Sequence, residues 1–271
     1  MGCLSCIAAF DGQTARFSVF QPVFKNFVGG IFFISKPVNP RKGSTPVTFL
    51  RELLTNPLFI IKRLQKNAIR KYAFFLKGQV CDVGCGTQPY RRYLPCDGYV
   101  GVDADLKLHP DVVAQATALP FADNSFDGVL CTEVIEHLEE PQVCLDQIRR
   151  ILKKEGYLCL TAPQSWGLHY EPHDFWRFTK YGLELLLKKY DFEVVVIERI
   201  GGPFSSGAQE FIDVMWTVLT KIFHFMGGRW AQRCASLLCA PWSLFFYVFS
   251  RYADRLDQRF AIGWLVIGRR R

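Results

Sequence analysis

The 271-residue chain is 49% hydrophobic and carries 33 Lys and Arg against 25 Asp and Glu, a net charge of +8. That apolar content is ample for the core of one large α/β domain with additions, which sets aside a disordered chain. The basic balance favours acidic partners, nucleic acid or anionic lipid head groups, and 24 Phe and 6 Trp, clustered outside the central strands, tilt the choice towards lipid.

At the amino-terminal end, Cys6 stands where a myristoylation pattern wants a hydroxyl residue, so Met1-Gly2-Cys3-Leu4-Ser5-Cys6 reads as a bland terminus. Cys3 and Cys6 form a lone CxxC without a second ligand pair, and zinc is not expected there. The apolar run 28–34 is too short to span a bilayer, nothing marks a signal peptide, and ten cysteines, several within core strands, fit a reducing cytoplasm. Residues 37–46 read as a linker. From 48 to 76, Phe49, Leu53, Phe59, Ile60, Leu64 and Ile69 recur at helical spacing around Asn56-Pro57, which predicts two helices.

The chain then runs Gln79-Val80-Cys81-Asp82-Val83-Gly84-Cys85-Gly86-Thr87, a buried strand that turns sharply on two glycines. A dinucleotide fingerprint wants a third glycine three residues on, where Pro89 stands, and Thr87 with Pro89 is placed to start a helix. A second strand, 99–103, ends in Asp103 at the distance where a carboxylate accepts ribose hydroxyls. Ala118-Leu119-Pro120-Phe121-Ala122-Asp123-Asn124-Ser125-Phe126-Asp127 follows, then a strand at 128–132 and Glu133-Val134-Ile135-Glu136-His137-Leu138. An amphipathic helix over 141–152 is predicted to stop at Lys153-Lys154-Glu155-Gly156, with Gly156 as a left-handed cap. A strand (157–162), a helix (180–190) and strands at 192–200 and 261–268 complete an alternation that calls for a mostly parallel sheet.

This succession resembles class I S-adenosylmethionine-dependent methyltransferases, of the group often called type 11, from about residue 79 to 201. The resemblance implies a Rossmann-like α/β fold whose last strand is antiparallel and inserted beside its predecessor, with S-adenosylmethionine as cofactor. It divides the chain into an extension with a helical flap (1–76) and a methyltransferase domain (77–271). It places Asp82, Gly84, Cys85 and Gly86 at the methionine part, Asp103 at the ribose, Gln115 and Ala116 at the adenine, and Thr132 and Glu133 beside them. Gln115 departs from the pattern, since relatives usually carry an acid there, yet its carbonyl can accept the same hydrogen bond. Candidate bases are His173, His169 and His137, with Asp174 placed to orient His173. Tyr170, Asp174, Trp176 and Arg177 are candidate acceptor-binding residues. No spacing matches a known metal site, and no metal is expected.

Residues 203–258 interrupt the last two strands as an apolar helical insert. Asp213, Thr217, Thr220, Lys221 and His224 draw one narrow polar stripe on its first helix, which is expected to expose Phe211, Met215, Trp216, Leu219, Phe223 and Met226. A second apolar segment, 234–250, is interrupted by Pro241 and followed by Arg251, Arg255 and Arg259. The expectation is a helical hairpin lying in one leaflet on the cytoplasmic face, helped by basic residues up to Arg269, Arg270 and Arg271. The alternatives are packing on the domain or a dimer interface. The reading is thus a methyltransferase for a lipid-soluble or lipid-linked small-molecule acceptor. The alternative is a soluble O-methyltransferase that dimerises through the insert. A nucleic-acid methyltransferase is set aside because the chain lacks an Asn/Asp-Pro-Pro-Tyr element and an aromatic-interleaved basic stripe. Intact Asp82, Gly84, Gly86 and Asp103 speak against a non-catalytic paralogue.

Overall fold

A computed structural model describes residues 46–271 and two short antiparallel strands, β1 (Lys25–Val28) and β2 (Ile31–Ile34). The expectations for Cys3, Cys6 and most of the linker lie outside the described residues. Helices α1 (Pro46–Thr55) and α2 (Phe59–Tyr72) are separated at Asn56-Pro57, where the Asn56 Oδ1 accepts from the Leu58 amide at 3.0 Å. There follow β3 (Gln79–Val83), β4 (Gly98–Asp103), the two-residue β5 (Val112–Val113), β6 (Phe126–Thr132), α3 (Pro141–Ile151) and β7 (Leu152–Pro163). The chain continues through α4 (Lys180–Lys189), β8 (Phe192–Ile200), α5 (Pro203–Ile222), α6 (Gly228–Ala253) and β9 (Gly263–Arg270).

The strands form one sheet in the order β5-β4-β3-β6-β7-β9-β8, in which β9 runs against both of its neighbours. Alternation along each strand sends side chains to two cores. Cys81, Val83, Cys131, Leu160 and Val266 meet Leu145 and Ile148 of α3 and Leu183 of α4 on one face. Val80, Tyr99, Leu130, Cys159 and Leu265 meet Ile61, Ala68 and Ile69 of α2 on the other. The ligand-binding end of such a sheet is the carboxyl edge of its parallel strands, and the loops after β3, β4, β6 and β7 gather there.

Several local expectations are corrected. No α-helix begins at Thr87 and Pro89: Gln88 takes φ 56° and the segment makes a single 3-10 turn at Arg91–Tyr93. Helix α3 ends at Ile151 and Leu152 already starts β7. The left-handed residue is Glu155 (φ 63°), whereas Gly156 is needed because a Cβ there would stand 2.9 Å from the Lys153 carbonyl oxygen. The final strand lies two residues later than expected.

Helices α5 and α6 pack antiparallel on α1 and α2. Asp254, just past α6, caps α5 by accepting through Oδ1 from the amides of Phe204 (2.9 Å) and Ser205 (3.1 Å). Arg199 of β8 donates to the carbonyls of Asp254, Asp257 and Phe260 and ties the end of the hairpin to the sheet. Inside, small residues of α6 such as Ala235, Cys239 and Ala240 allow close approach to Ala208 and Ile212 of α5 and to Phe59 and Ile60 of α2. Pro241 does not break the second helix, which continues for 26 residues; a proline removes one internal hydrogen bond, and here tertiary packing outweighs that loss. Of the side chains expected outside, Met215, Trp216 and Leu219 pack inward, with the Trp216 indole donating to Ser236 Oγ at 3.1 Å, while Phe211 and Met226 are exposed as expected. The outward row adds Val214, Val218 and Ile222, and on α6 it comprises Leu238, Trp242, Phe245, Val248, Phe249 and Tyr252. Among the described residues α6 is the one helix long and apolar enough to cross a bilayer by length and composition, and 39% of its apolar window is buried within the protein. The carboxyl-terminal arginines are elsewhere: Arg269 pairs with Glu155 and Glu193 at the far end of β9, and Arg270 donates to Asn124.

Candidate active site

The turn after β3 is shaped by two glycines in the left-handed region, Gly84 (φ 67°) and Gly86 (φ 51°). A Cβ on Gly84 would stand 2.2 Å from Val134 Cγ2, so the residue must be glycine for the β3 and β6 loops to meet. A Cβ on Gly86 would meet nothing within 4 Å. The Gly86 amide donates to Asp103 Oδ2 at 2.9 Å and the Asp105 amide to Oδ1 at 2.9 Å, which fixes the carboxylate at the end of β4. Asp82, one strand in, is almost fully buried, with the Tyr99 hydroxyl donating to Oδ2 at 2.5 Å. Burial pushes its carboxyl up to about 7, against the pull of the tyrosine hydrogen bond. Cys85 is buried beside it, and its thiol is pushed up to about 12.

On the opposite side, the segment between β7 and α4 folds back over the end of β6. The amides of Phe175 (2.9 Å) and Trp176 (3.2 Å) donate to the carbonyl of Glu136, and Trp176 Nε1 donates to the Leu138 carbonyl at 2.9 Å. Asp174 is held by both guanidinium nitrogens of Arg177 at 2.7 Å and by the His169 amide at 2.9 Å. The Arg177 hydrogen bond holds the Asp174 carboxyl well below the usual carboxylate range. Asp174 therefore fixes His169, not His173, whose side chain contacts Phe175 instead. His137 Nδ1 lies 2.6 Å from the His173 carbonyl oxygen, and desolvation lowers the imidazole's pKa. Glu136 has no exposed surface and neither carboxyl oxygen has a hydrogen-bond partner among the described residues; burial and the neighbouring Glu133 push it up to about 9.

Between these walls lies a cavity of about 680 Å³. Gly84, Asp103, Gln115, Ala116 and Glu133 line it on one side, and His137, His169, Tyr170 and His173 on the other. Asp82, Cys85, Gly86, Thr132, Asp174, Trp176 and Arg177 stand behind this lining, the last three as the strut of the loop. Residues that sequence reasoning did not single out complete the wall: Leu58 just before α2, Ile61, Lys62 and Gln65 on it, and Trp166 after β7. The helical period of α2 was legible, but which turn would face the cavity depends on its packing against β8 and the hairpin. The cradle fits S-adenosylmethionine on the geometry present. Open space faces Gly86, the Asp103 carboxylate keeps lone pairs after accepting two amides, and Leu108 and Ala114 offer apolar surface beside Gln115.

A mostly parallel seven-stranded sheet with β9 reversed, and an acid and two glycines at its carboxyl edge, are the fold and cradle of class I S-adenosylmethionine-dependent methyltransferases. Residues 81–160 match the family model described as a methyltransferase domain. An uncharacterised protein of Methanocaldococcus jannaschii is 34% identical over 124 residues, 42% of this chain and 52% of that protein. An uncharacterised methyltransferase of Schizosaccharomyces pombe is 27% identical over 106 residues, 30% of this chain and 38% of the relative. The chain thus spans about half or less of the curated relatives it matches. Phosphoethanolamine N-methyltransferase 2 of Haemonchus contortus, solved with S-adenosylmethionine, shares the fold with a TM-score of 0.50 at 17% identity, covering 84% of this chain and 61% of that one.

Proposed function

We propose that this chain is an S-adenosylmethionine-dependent methyltransferase that works on the cytoplasmic face of a membrane, on a lipid-soluble or lipid-linked acceptor. One observation carries the reading: the acceptor wall of the cavity is α2, and α2 is braced on the apolar hairpin. The Ile61 amide donates to Gln209 Oε1 (3.4 Å), Gln209 Nε2 to the Pro57 carbonyl (2.8 Å), and Asn67 Nδ2 to the Tyr247 hydroxyl (3.1 Å).

When bound, the cofactor supplies an electrophilic sulfonium methyl. Asp103 accepts the ribose hydroxyls, Gly84 and Gly86 admit close backbone approach, and Gln115 accepts from the adenine amine while Ala116 walls the ring. Asp82, Cys85, Thr132 and Glu133 support this cradle from the strand ends. His173 is the base for an acceptor proton, because it lines the cavity and its ring makes no hydrogen bond among the described residues. Tyr170 contacts the acceptor, and Arg177 with Asp174 and Trp176 holds the loop that brings both to the cavity.

The hairpin supplies the membrane contact. Its inner face is spent on the protein's own core, which favours a helix pair lying in the surface plane over one surrounded by lipid. Its outer face shows Trp242, Phe245 and Phe249, each about half exposed, and burying such side chains is worth about 1.5–3 kcal/mol each. The eight described cysteines are free thiols, seven of them buried, which suits a reducing compartment.

The test replaces Trp242, Phe245 and Phe249 together by Glu, because removing residues 203–258 would uncover Phe59 and Ile60. Liposome flotation of the wild type, lost in a triple variant that still binds S-adenosylmethionine, supports the reading. A wild type that stays out of the lipid fraction and forms a dimer that the triple variant abolishes establishes the soluble alternative.

A further inference from the structure

We propose that Glu136, His137 and His169 form a binding site for one divalent transition-metal ion of the zinc type on the acceptor side of the cavity. The three side chains come from the end of β6 and from the loop after β7, and their donor atoms lie within 4.8 Å of one another. No regular ligand spacing announces them, since 32 positions separate His137 from His169 and only the folding back of the loop unites them.

Four observations converge. First, the Glu136 carboxyl is fully buried and both of its oxygens lack a hydrogen-bond partner among the described residues, a costly arrangement that a cation would relieve. Second, each histidine is held by Nδ1: that of His137 sits 2.6 Å from the His173 carbonyl oxygen, and that of His169 sits 3.2 Å from the Gly167 carbonyl oxygen and 3.4 Å from Asp174 Oδ2. A carbonyl or carboxylate on one ring nitrogen is the usual outer support of a metal-ligating imidazole, and it leaves Nε2 as the donor. Third, His137 Nε2 is already 3.9 Å from Glu136 Oε1. Bonds of about 2.1 Å set tetrahedral donors roughly 3.4 Å apart, so modest side-chain rotation closes the set. Fourth, Glu133 and Asp174 lie close enough to act on Glu136, with Arg177 as the cation set against them, so acidic groups gather around this point.

Two imidazoles and one carboxylate suit zinc or its first-row neighbours better than magnesium or calcium, which prefer all-oxygen shells. His137 and His169 both line the cavity, so the remaining coordination positions open onto it. The ligand class for those positions is an oxygen donor. Resting on the methyl-transfer reading, that donor is an acceptor hydroxyl or phenol whose proton the ion makes easier to lose.

The full-length protein, stripped with chelator under reducing conditions, is titrated with Co²⁺ alone and followed by its visible spectrum, then with Zn²⁺ by calorimetry. One equivalent per chain is expected, with a nitrogen and oxygen ligand field free of a sulfur charge-transfer band. Affinity should fall by roughly tenfold or more in His169→Ala and in Glu136→Gln. His169 is on a partly exposed loop, so His169→Ala decides the matter if Glu136→Gln does not fold. Absence of stoichiometric binding, a sulfur band that assigns the ion to cysteines, or unchanged affinity in a folded His169→Ala overturns the site. S-adenosylmethionine calorimetry on the same samples distinguishes failure of the metal site from failure of the methyltransferase reading.

Discussion

The Gly86 amide donates to Asp103 Oδ2 at 2.9 Å, so the loop after β3 and the tip of β4 are held as one unit. That contact ties the geometry of the cradle to a single carboxylate. Asp103→Asn keeps an acceptor oxygen but loses charge, whereas Asp103→Ala removes both. We expect calorimetric affinity for S-adenosylmethionine to fall about tenfold in the first variant and on the order of a hundredfold in the second, 1.4 kcal/mol per tenfold. Unchanged affinity in a folded Asp103→Ala would remove Asp103 from the ribose site.

The two glycines of the turn separate packing from binding. Gly84→Ala drives a methyl into Val134 and also strains a left-handed backbone, so it should destabilise the fold by about 2–4 kcal/mol. Gly86→Ala meets only open space and should cost about 1–2 kcal/mol of backbone strain while weakening cofactor binding more than Gly84→Ala weakens it relative to its stability loss. Thermal melts with and without S-adenosylmethionine read both quantities.

Asp82 gives stability a pH dependence of defined sign. Its folded carboxyl titrates at about 7, well above the model-peptide value of 3.8, so the native state holds a proton that the unfolded chain has released. Stability should therefore be greatest below about pH 4, decline as pH rises towards 7, and level off above it. Asp82→Asn abolishes that decline and keeps a carbonyl oxygen to accept from the Tyr99 hydroxyl, so at pH 8 it should be more stable than wild type by up to about 4 kcal/mol. Denaturant melts across the pH range of both proteins test this; parallel profiles would show that Asp82 does not titrate in this window.

Arg177 is bidentate to Asp174, and the side chain of Asp174 is only 2% exposed. Arg177→Gln leaves that carboxylate with the His169 amide alone, and should cost about 2–3 kcal/mol, tempered by Arg177's partial exposure. The loop carrying Tyr170 and His173 then loosens. We expect kcat to fall with cofactor affinity retained. In His173→Gln the loss should fall on kcat with the melting temperature unchanged.

Salt should modulate lipid binding through Lys221, Arg229, Arg233, Arg251 and Arg255, which flank the apolar face. Each adds on the order of 1 kcal/mol beside an anionic bilayer, a contribution that salt screens. Flotation with anionic vesicles should weaken between low and high salt, and Arg229→Ala with Arg233→Ala should flatten that dependence without altering binding to neutral vesicles.

The succession of strands along the chain, the glycine turn and the acid at the end of β4 were legible because each is dictated within a few residues of chain, and the reversed last strand followed from the resemblance. The misjudged points depended on distant partners. Glu155 takes the left-handed conformation because Gly156 is required for close packing over Leu152, which no local rule ranks. Trp216 turns inward because Ser236, on the next helix, accepts its indole proton. The pairing of Asp174 with Arg177 was legible as the alternative reading of this loop, as a lid, whereas adjacency alone paired Asp174 with His173 and the structure gives it His169 instead. The helical flap was expected from the resemblance, but which of its residues line the cavity, and that Glu136 is buried, are decided only by the folded loop and the hairpin.

Strand β8 has β9 as its sheet neighbour, and β9 lies beyond the whole hairpin in the chain. On a growing polypeptide, α5 and α6 therefore emerge while β8 is still unpaired and the edge of β7 is still open. For that interval the helices that seat the hairpin, α1 and α2, are already made, but the sheet beneath them still lacks the strand that joins β7 to β8. Final closure of the sheet thus waits on a strand that must slide between two others after an apolar segment has left the ribosome, an order of events that keeps an unpaired strand edge and an apolar surface exposed together until β9 arrives.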